Sequence, residues 1–126
     1  MAYIHYQTNP LNKNVGDCVV RAISKVMGMS WDETYLELAI QGLCMADMPN
    51  SNSVWGAYLY LNGFERHNIE SLCPDCYTVQ DFCKDFPYGT YILATGTHAI
   101  AVINGDYFDA FDSGFENPIY VWEKVR

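Results

Sequence analysis

The chain has 126 residues, half of them hydrophobic, with ten tyrosines, six phenylalanines and three tryptophans. That is the size of one domain with enough apolar surface for a core, and it excludes intrinsic disorder. A net charge of −8, from 15 acidic and seven basic residues, excludes nucleic acid and anionic membrane as expected partners, because phosphate binding rests on clustered Lys and Arg.

The opening Met1-Ala2-Tyr3-Ile4-His5-Tyr6 has neither the charged nor the apolar region of a secretion signal. No apolar stretch approaches the ~20 residues of a membrane span. Five cysteines without a signal point to a reducing cytoplasm rather than a disulfide framework. Residues 1–16 read as a short strand and then a polar loop, Gln7 to Gly16. A helix follows, with Asp17 as N-cap and Gly28 as its stop. Its apolar positions Val19, Ala22, Ile23, Val26 and Met27 recur at helical spacing, so one face is buried. Ser30 to Glu33 is a capping box opening a second helix that runs to about Gly42. Trp31, Trp55, Tyr35, Tyr58 and Tyr60 fall at helical spacings and read as core. Asp47 to Asn50 is an interhelical loop that could border a cleft. A third helix is expected from about Ser53 to Leu61, and Thr78 caps a short fourth through Phe86.

After Pro87 the pattern changes to strands. Thr90–Ala94 and His98–Ile103 come first, then Asp106–Phe111 across the hairpin signal Asn104-Gly105, and last Pro118–Trp122. Helices before antiparallel strands make an α+β order within one domain, 1–126.

Two positions stand out chemically. Cys18 lies at the opening turn of the first helix, where the helix dipole favours a thiolate and unpaired backbone N–H groups could donate to an oxyanion. His98 begins a strand whose other members are apolar or small. A thiol at a helix N-terminus becomes a nucleophile when an imidazole takes its proton. The hairpin returns two carboxylates toward His98. With a three-residue loop Asp112 lies opposite it; with a two-residue loop Asp109 falls on its face, one diagonal away. Asp112 is preferred, because it sits at the strand end nearest His98.

This order of Cys on a helix start, His on a strand start and Asp on the next strand resembles the papain-like cysteine peptidases. The Gly16-Asp17-Cys18 and Thr97-to-Val102 stretches look most like the short C39-like branch found in bacteria and phages. The resemblance spans about residues 9–122. It implies a papain-like fold, with the Cys-bearing helix packed on a C-terminal antiparallel sheet. It also implies acyl transfer on a peptide or protein substrate through Cys18, His98 and Asp112, without a cofactor. Such peptidases place a Gln six residues before the cysteine as oxyanion donor; here that position is Asn12.

Two other readings compete. The fold could serve as a binding module in which the cysteine is incidental. Alternatively, His67, Cys73, Cys76 and Cys83 could bind zinc, the Cys73–Cys76 gap being that of a zinc knuckle.

Overall fold

The computed structural model describes residues 2–70 and 76–126. In chain order the elements are β1 (Ala2–His5), α1 (Cys18–Met27), α2 (Trp31–Met45), α3 (Asn52–Leu61), β2 (Phe64–Asn68), α4 (Val79–Asp85), β3 (Thr90–Ala94), β4 (Ala99–Ile103), β5 (Asp106–Asp109) and β6 (Tyr120–Lys124). The strands form one six-stranded sheet in the order β1-β5-β4-β3-β6-β2. This is an α+β fold, and none of its helices is long and apolar enough to cross a membrane.

The centre of the sheet is apolar on both faces because both are covered. Ile92, Ala94, Ala99, Ala101, Tyr120 and Trp122 face α1, α2 and α3, in a core with Ile23, Leu38 and Trp55. The alternate residues Tyr91, Leu93, Ile100, Val102 and Val121 face α4, against Val79, Phe82 and Cys83. Strands buried on two sides lose the polar–apolar alternation of a half-exposed sheet. The capping boxes at Ser30 and Thr78 are both formed.

Four expectations need correction. The sheet is mixed rather than antiparallel, because β1 adds to β5 as a parallel edge strand. The other edge, β2, was not anticipated; its Phe-Glu-Arg-His-Asn run buries only Phe64, so it carries little apolar signal. Helix α2 passes through Gly42 to Met45. That glycine serves close approach rather than termination, since a Cβ there would lie 2.7 Å from the Asp47 carbonyl oxygen. Tyr35 and Tyr60 are 47% and 64% exposed, leaving Trp55 and Tyr58 as the core members of their set.

Candidate active site

Helix α1 starts at Cys18, and Asp17 makes that start unusual. Asp17 occupies the N-cap position, but its side chain accepts no capping bond from the helix. It turns inward instead, taking Arg21 Nη1 at 2.9 Å and Trp31 Nε1 at 3.0 Å. The first intrahelical bond runs from Arg21 N–H to the Asp17 carbonyl. The N–H groups of Cys18 and Val19 are therefore not consumed by a cap, and both residues line a cleft of about 310 Å³.

His98 stands on the cleft wall facing them. The β3–β4 turn fixes its backbone: His98 N–H donates to Thr95 Oγ1 at 3.1 Å, and Thr95 N–H donates to the His98 carbonyl at 3.0 Å. Its ring stands beside the Cys18 thiol on one side, close enough for each group to shift the other's titration. On the other, Nε2 lies 2.6 Å from Asp109 Oδ2, leaving Nδ1 as the nitrogen for sulfur. Phe111 stacks over the ring, with centroids 5.2 Å apart.

The carboxylate on His98 is thus Asp109 and not Asp112, and turn length is the reason. Ile103 pairs with Asp106 across a two-residue loop. Asn104 and Gly105 both adopt positive φ, 51° and 79°, the mirror-image turn that matches strand twist. That register puts Asp109 on the His98 face. Asp112 instead accepts the Tyr107 hydroxyl at 2.5 Å and the Gly114 N–H at 3.0 Å.

Asp109 is fully buried, and every group around its carboxylate is a donor. Besides His98 these are Ser113 Oγ at 2.6 Å, Arg21 Nη2 at 3.0 Å and the Ala110 N–H at 2.7 Å. Burial pushes its pKa up. The bonds from His98 and Ser113 and the imidazolium charge outweigh burial and hold it below the usual carboxylate range. Burial likewise opposes charge on His98, but the bonds to Asp109 and Cys18 raise it to about 9. For Cys18, burial raises the thiol. The bond to His98, the Ala99 backbone and the positive charges of His98 and Arg21 bring it below its ordinary value. The arrangement favours a thiolate–imidazolium pair.

Sequence reasoning missed Arg21, Ser113 and Phe111. Arg21 could have been suspected as a charge four residues after Asp17 on an otherwise apolar helix face; nothing local marks the other two.

Asn12 does not join the site. It is exposed, adopts a left-handed φ of 53° and donates its N–H to the Asn9 carbonyl. The Asn9 side chain accepts the N–H groups of Leu11 and Lys13, so this loop uses its amides for turn geometry. Two amides do line the cleft, Asn50 and Asn52, the latter in the first turn of α3. For Asn52 the free end is defined. Its Oδ1 accepts Trp55 Nε1 at 3.0 Å, which leaves Nδ2 as its donor end.

Among the described residues the zinc constellation is not assembled. Cys73 lies outside the described residues, Cys76 is disulfide-bonded, His67 pairs with Glu123 at 3.1 Å, and Cys83 is buried on the sheet-facing side of α4. Among the described residues no three His, Cys, Asp or Glu side chains are grouped to hold a metal. The disulfide on Cys76 also departs from the thiol-only chemistry expected of this chain.

Asp109→Asn is expected to slow alkylation of Cys18 at about pH 6 by roughly tenfold or more, since one pKa unit on the thiol is tenfold in thiolate. The Asn NH2 would face a shell made only of donors. Asp112→Asn should leave the rate nearly unchanged, because its amide oxygen can still accept from Tyr107 and Gly114. Equal effects of the two variants, measured by peptide mass spectrometry, would refute this assignment. No protein-family model, curated protein or solved structure matches the chain.

Proposed function

We propose that this protein is a papain-like cysteine hydrolase that cleaves a peptide or isopeptide bond through Cys18, His98 and Asp109. The observation that carries the proposal is the Cys18 thiol sharing one cleft with an imidazole whose Nε2 is held at 2.6 Å by a buried carboxylate. In the reaction the Cys18 thiolate adds to the amide carbonyl carbon. Charge developing on the carbonyl oxygen meets the uncapped N–H groups of Cys18 and Val19, with the Asn52 amide on the same cleft. As the C–N bond breaks, the His98 imidazolium gives its proton to the leaving amine. A thioester to Cys18 remains. His98, now neutral, takes a proton from water, which attacks the thioester; the carboxylic acid leaves and the thiolate–imidazolium pair returns. Asp109 holds the ring and stabilises its charged form throughout. The chemistry uses no cofactor, and the partner is a peptide or protein.

The working form exists above the lowered pKa of Cys18 and below the His98 value of about 9. Turnover should therefore fall on the alkaline side near pH 9 and on the acid side as the thiolate is protonated. The same pair contributes to stability. A histidine raised from 6.5 to about 9 stabilises the fold fully below its unfolded value, and that contribution is lost as pH rises through about 9.

The test is site-resolved iodoacetamide labelling from about pH 5 to about 9, beside hydrolysis of a peptide library. Cys18 is expected to label rapidly at about pH 6 and to be slowed by His98→Ala. Cys44, exposed on α2, is the internal reference. Cys83, pushed by burial up to about 11, should label last. A binding-module reading draws on the exposed apolar face of α2, where Leu36, Ile40 and Leu43 are 61%, 61% and 81% exposed. It predicts sluggish Cys18 labelling and no hydrolysis.

A further inference from the structure

We infer that a hollow on the α4 face of the sheet receives the cationic end of a Lys or Arg side chain from a partner peptide or protein. The hollow encloses about 370 Å³ and is lined from α4, β2, β3 and β6. Its sheet residues Tyr91 and Val121 belong to the core under α4. Ala94, Ala99 and Tyr120 of the Cys18 cleft belong to the core under the other helices. The hollow and the cleft thus lie on opposite faces of one sheet, and the inference does not depend on the hydrolase reading.

The walls are aromatic. Phe82 and Phe86 stack with centroids 4.6 Å apart, and Tyr91 meets Phe82 at 82° with centroids 5.0 Å apart. Tyr77 joins them in lining the hollow. Phe82 and Tyr91 are buried, but Phe86 is 45% exposed and offers its ring to whatever enters. A ring face attracts a cation, most of all one that has shed part of its water.

Carboxylates stand among these rings: Glu70, Asp85 and Glu123 line the same hollow. Asp85 accepts the Tyr77 hydroxyl at 2.7 Å, and Glu123 pairs with His67 at 3.1 Å. Burial and then the Glu123 charge hold the Tyr91 phenol above its ordinary value, so that carboxylate acts on the ring wall. Among the described lining residues none is Lys or Arg, and the whole chain carries a charge of −8. An acidic guest would be repelled, and an apolar one would cover carboxylates without neutralising them. A Lys or Arg side chain meets both demands, with its methylene stem along the rings and its charged head at the acids.

The test is an amide NMR titration of the full chain with acetyl-Gly-Arg-Gly-amide, its Lys and citrulline counterparts, and tetramethylammonium chloride. Citrulline keeps the shape of Arg and lacks its charge. The Arg and Lys peptides are expected to shift the amides of Phe86, Tyr91 and Glu123. They should bind roughly tenfold tighter than the citrulline peptide. Phe86→Ala and Glu123→Gln, both at partly exposed side chains, should each weaken the Arg peptide by roughly fivefold or more. Circular dichroism checks both folds, and Glu123→Gln, which removes no ring, decides alone if Phe86→Ala is misfolded. Equal binding of the Arg and citrulline peptides, or no shift at the hollow, would overturn the inference. So would Arg binding indifferent to both variants, which places the cation elsewhere. Tetramethylammonium binding as tightly as the peptides would overturn the side-chain assignment and leave a site for small cations.

Discussion

Cys18→Ala should abolish turnover and leave the fold almost unchanged. Members of such a unit act together, so loss of one costs roughly as much as loss of all, on the order of 10⁶-fold in kcat. Structurally the change is small: a half-buried sulfur is removed from the end of a helix whose apolar face, Val19, Ala22, Ile23 and Val26, is untouched. A second readout separates this outcome from unfolding. Burial opposes charge on His98, yet Asp109 and Cys18 together raise it to about 9. In Cys18→Ala the imidazole should titrate lower, still above an ordinary histidine because Asp109 remains. Both can be measured on one sample, by peptide hydrolysis and by NMR titration of the ring. Retained hydrolysis in Cys18→Ala would sink the mechanism; an unchanged His98 titration would show that the thiol and the ring are not in contact.

The second large effect is on stability. Arg21 is 6% exposed and bridges two carboxylates that are themselves buried, Asp17 at 5% and Asp109 at 0%. Replacing two buried charges and their partner together is often tolerated, but removing one partner leaves uncompensated charge behind. Arg21→Met should therefore cost about 3–5 kcal/mol. At roughly 4 °C per kcal/mol for a chain of this size, that lowers Tm by about 12–20 °C. Arg21→Lys should recover only part of the loss, because one ammonium cannot reproduce a fork that reaches both acids. The pH dependence has a definite sign. Asp109 is held below the usual carboxylate range, so its stabilising contribution is present above about pH 4 and lost as pH falls lower. The gap between Arg21→Met and the parent should narrow in acid, where the stranded Asp109 takes up a proton. Thermal unfolding followed by circular dichroism would check this; a loss under about 1 kcal/mol, no more than an exposed ion pair supplies, would mean the bridge is not formed in solution.

Much of this site was legible because its signals are local. A cysteine after a glycine-containing loop, followed by apolar residues at helical spacing, places a thiol at a helix start whatever the rest of the chain does. The capping boxes at Ser30 and Thr78 and the Asn104-Gly105 turn are complete within a few residues, and they formed where expected. His98 at the head of an apolar run carried its own anomaly, a polar ring at the edge of a buried strand.

What the sequence by itself determined, then, were the ends of elements and the side chains standing on them: Cys18 opening α1, His98 leading into β4, and helices followed by strands. Only the tertiary structure decided which groups those side chains meet. The choice between Asp109 and Asp112 turned on one residue of hairpin length, because a strand's side chains alternate faces and a slip of one reverses them all. Arg21 meets Asp109 across 88 positions of chain, and Asn12, at the expected spacing before the cysteine, stays on the surface while Asn52 reaches the cleft from another helix. Helix and turn signals arise from neighbours along the chain. Partners across a sheet or between helices are chosen by packing, which no local pattern records.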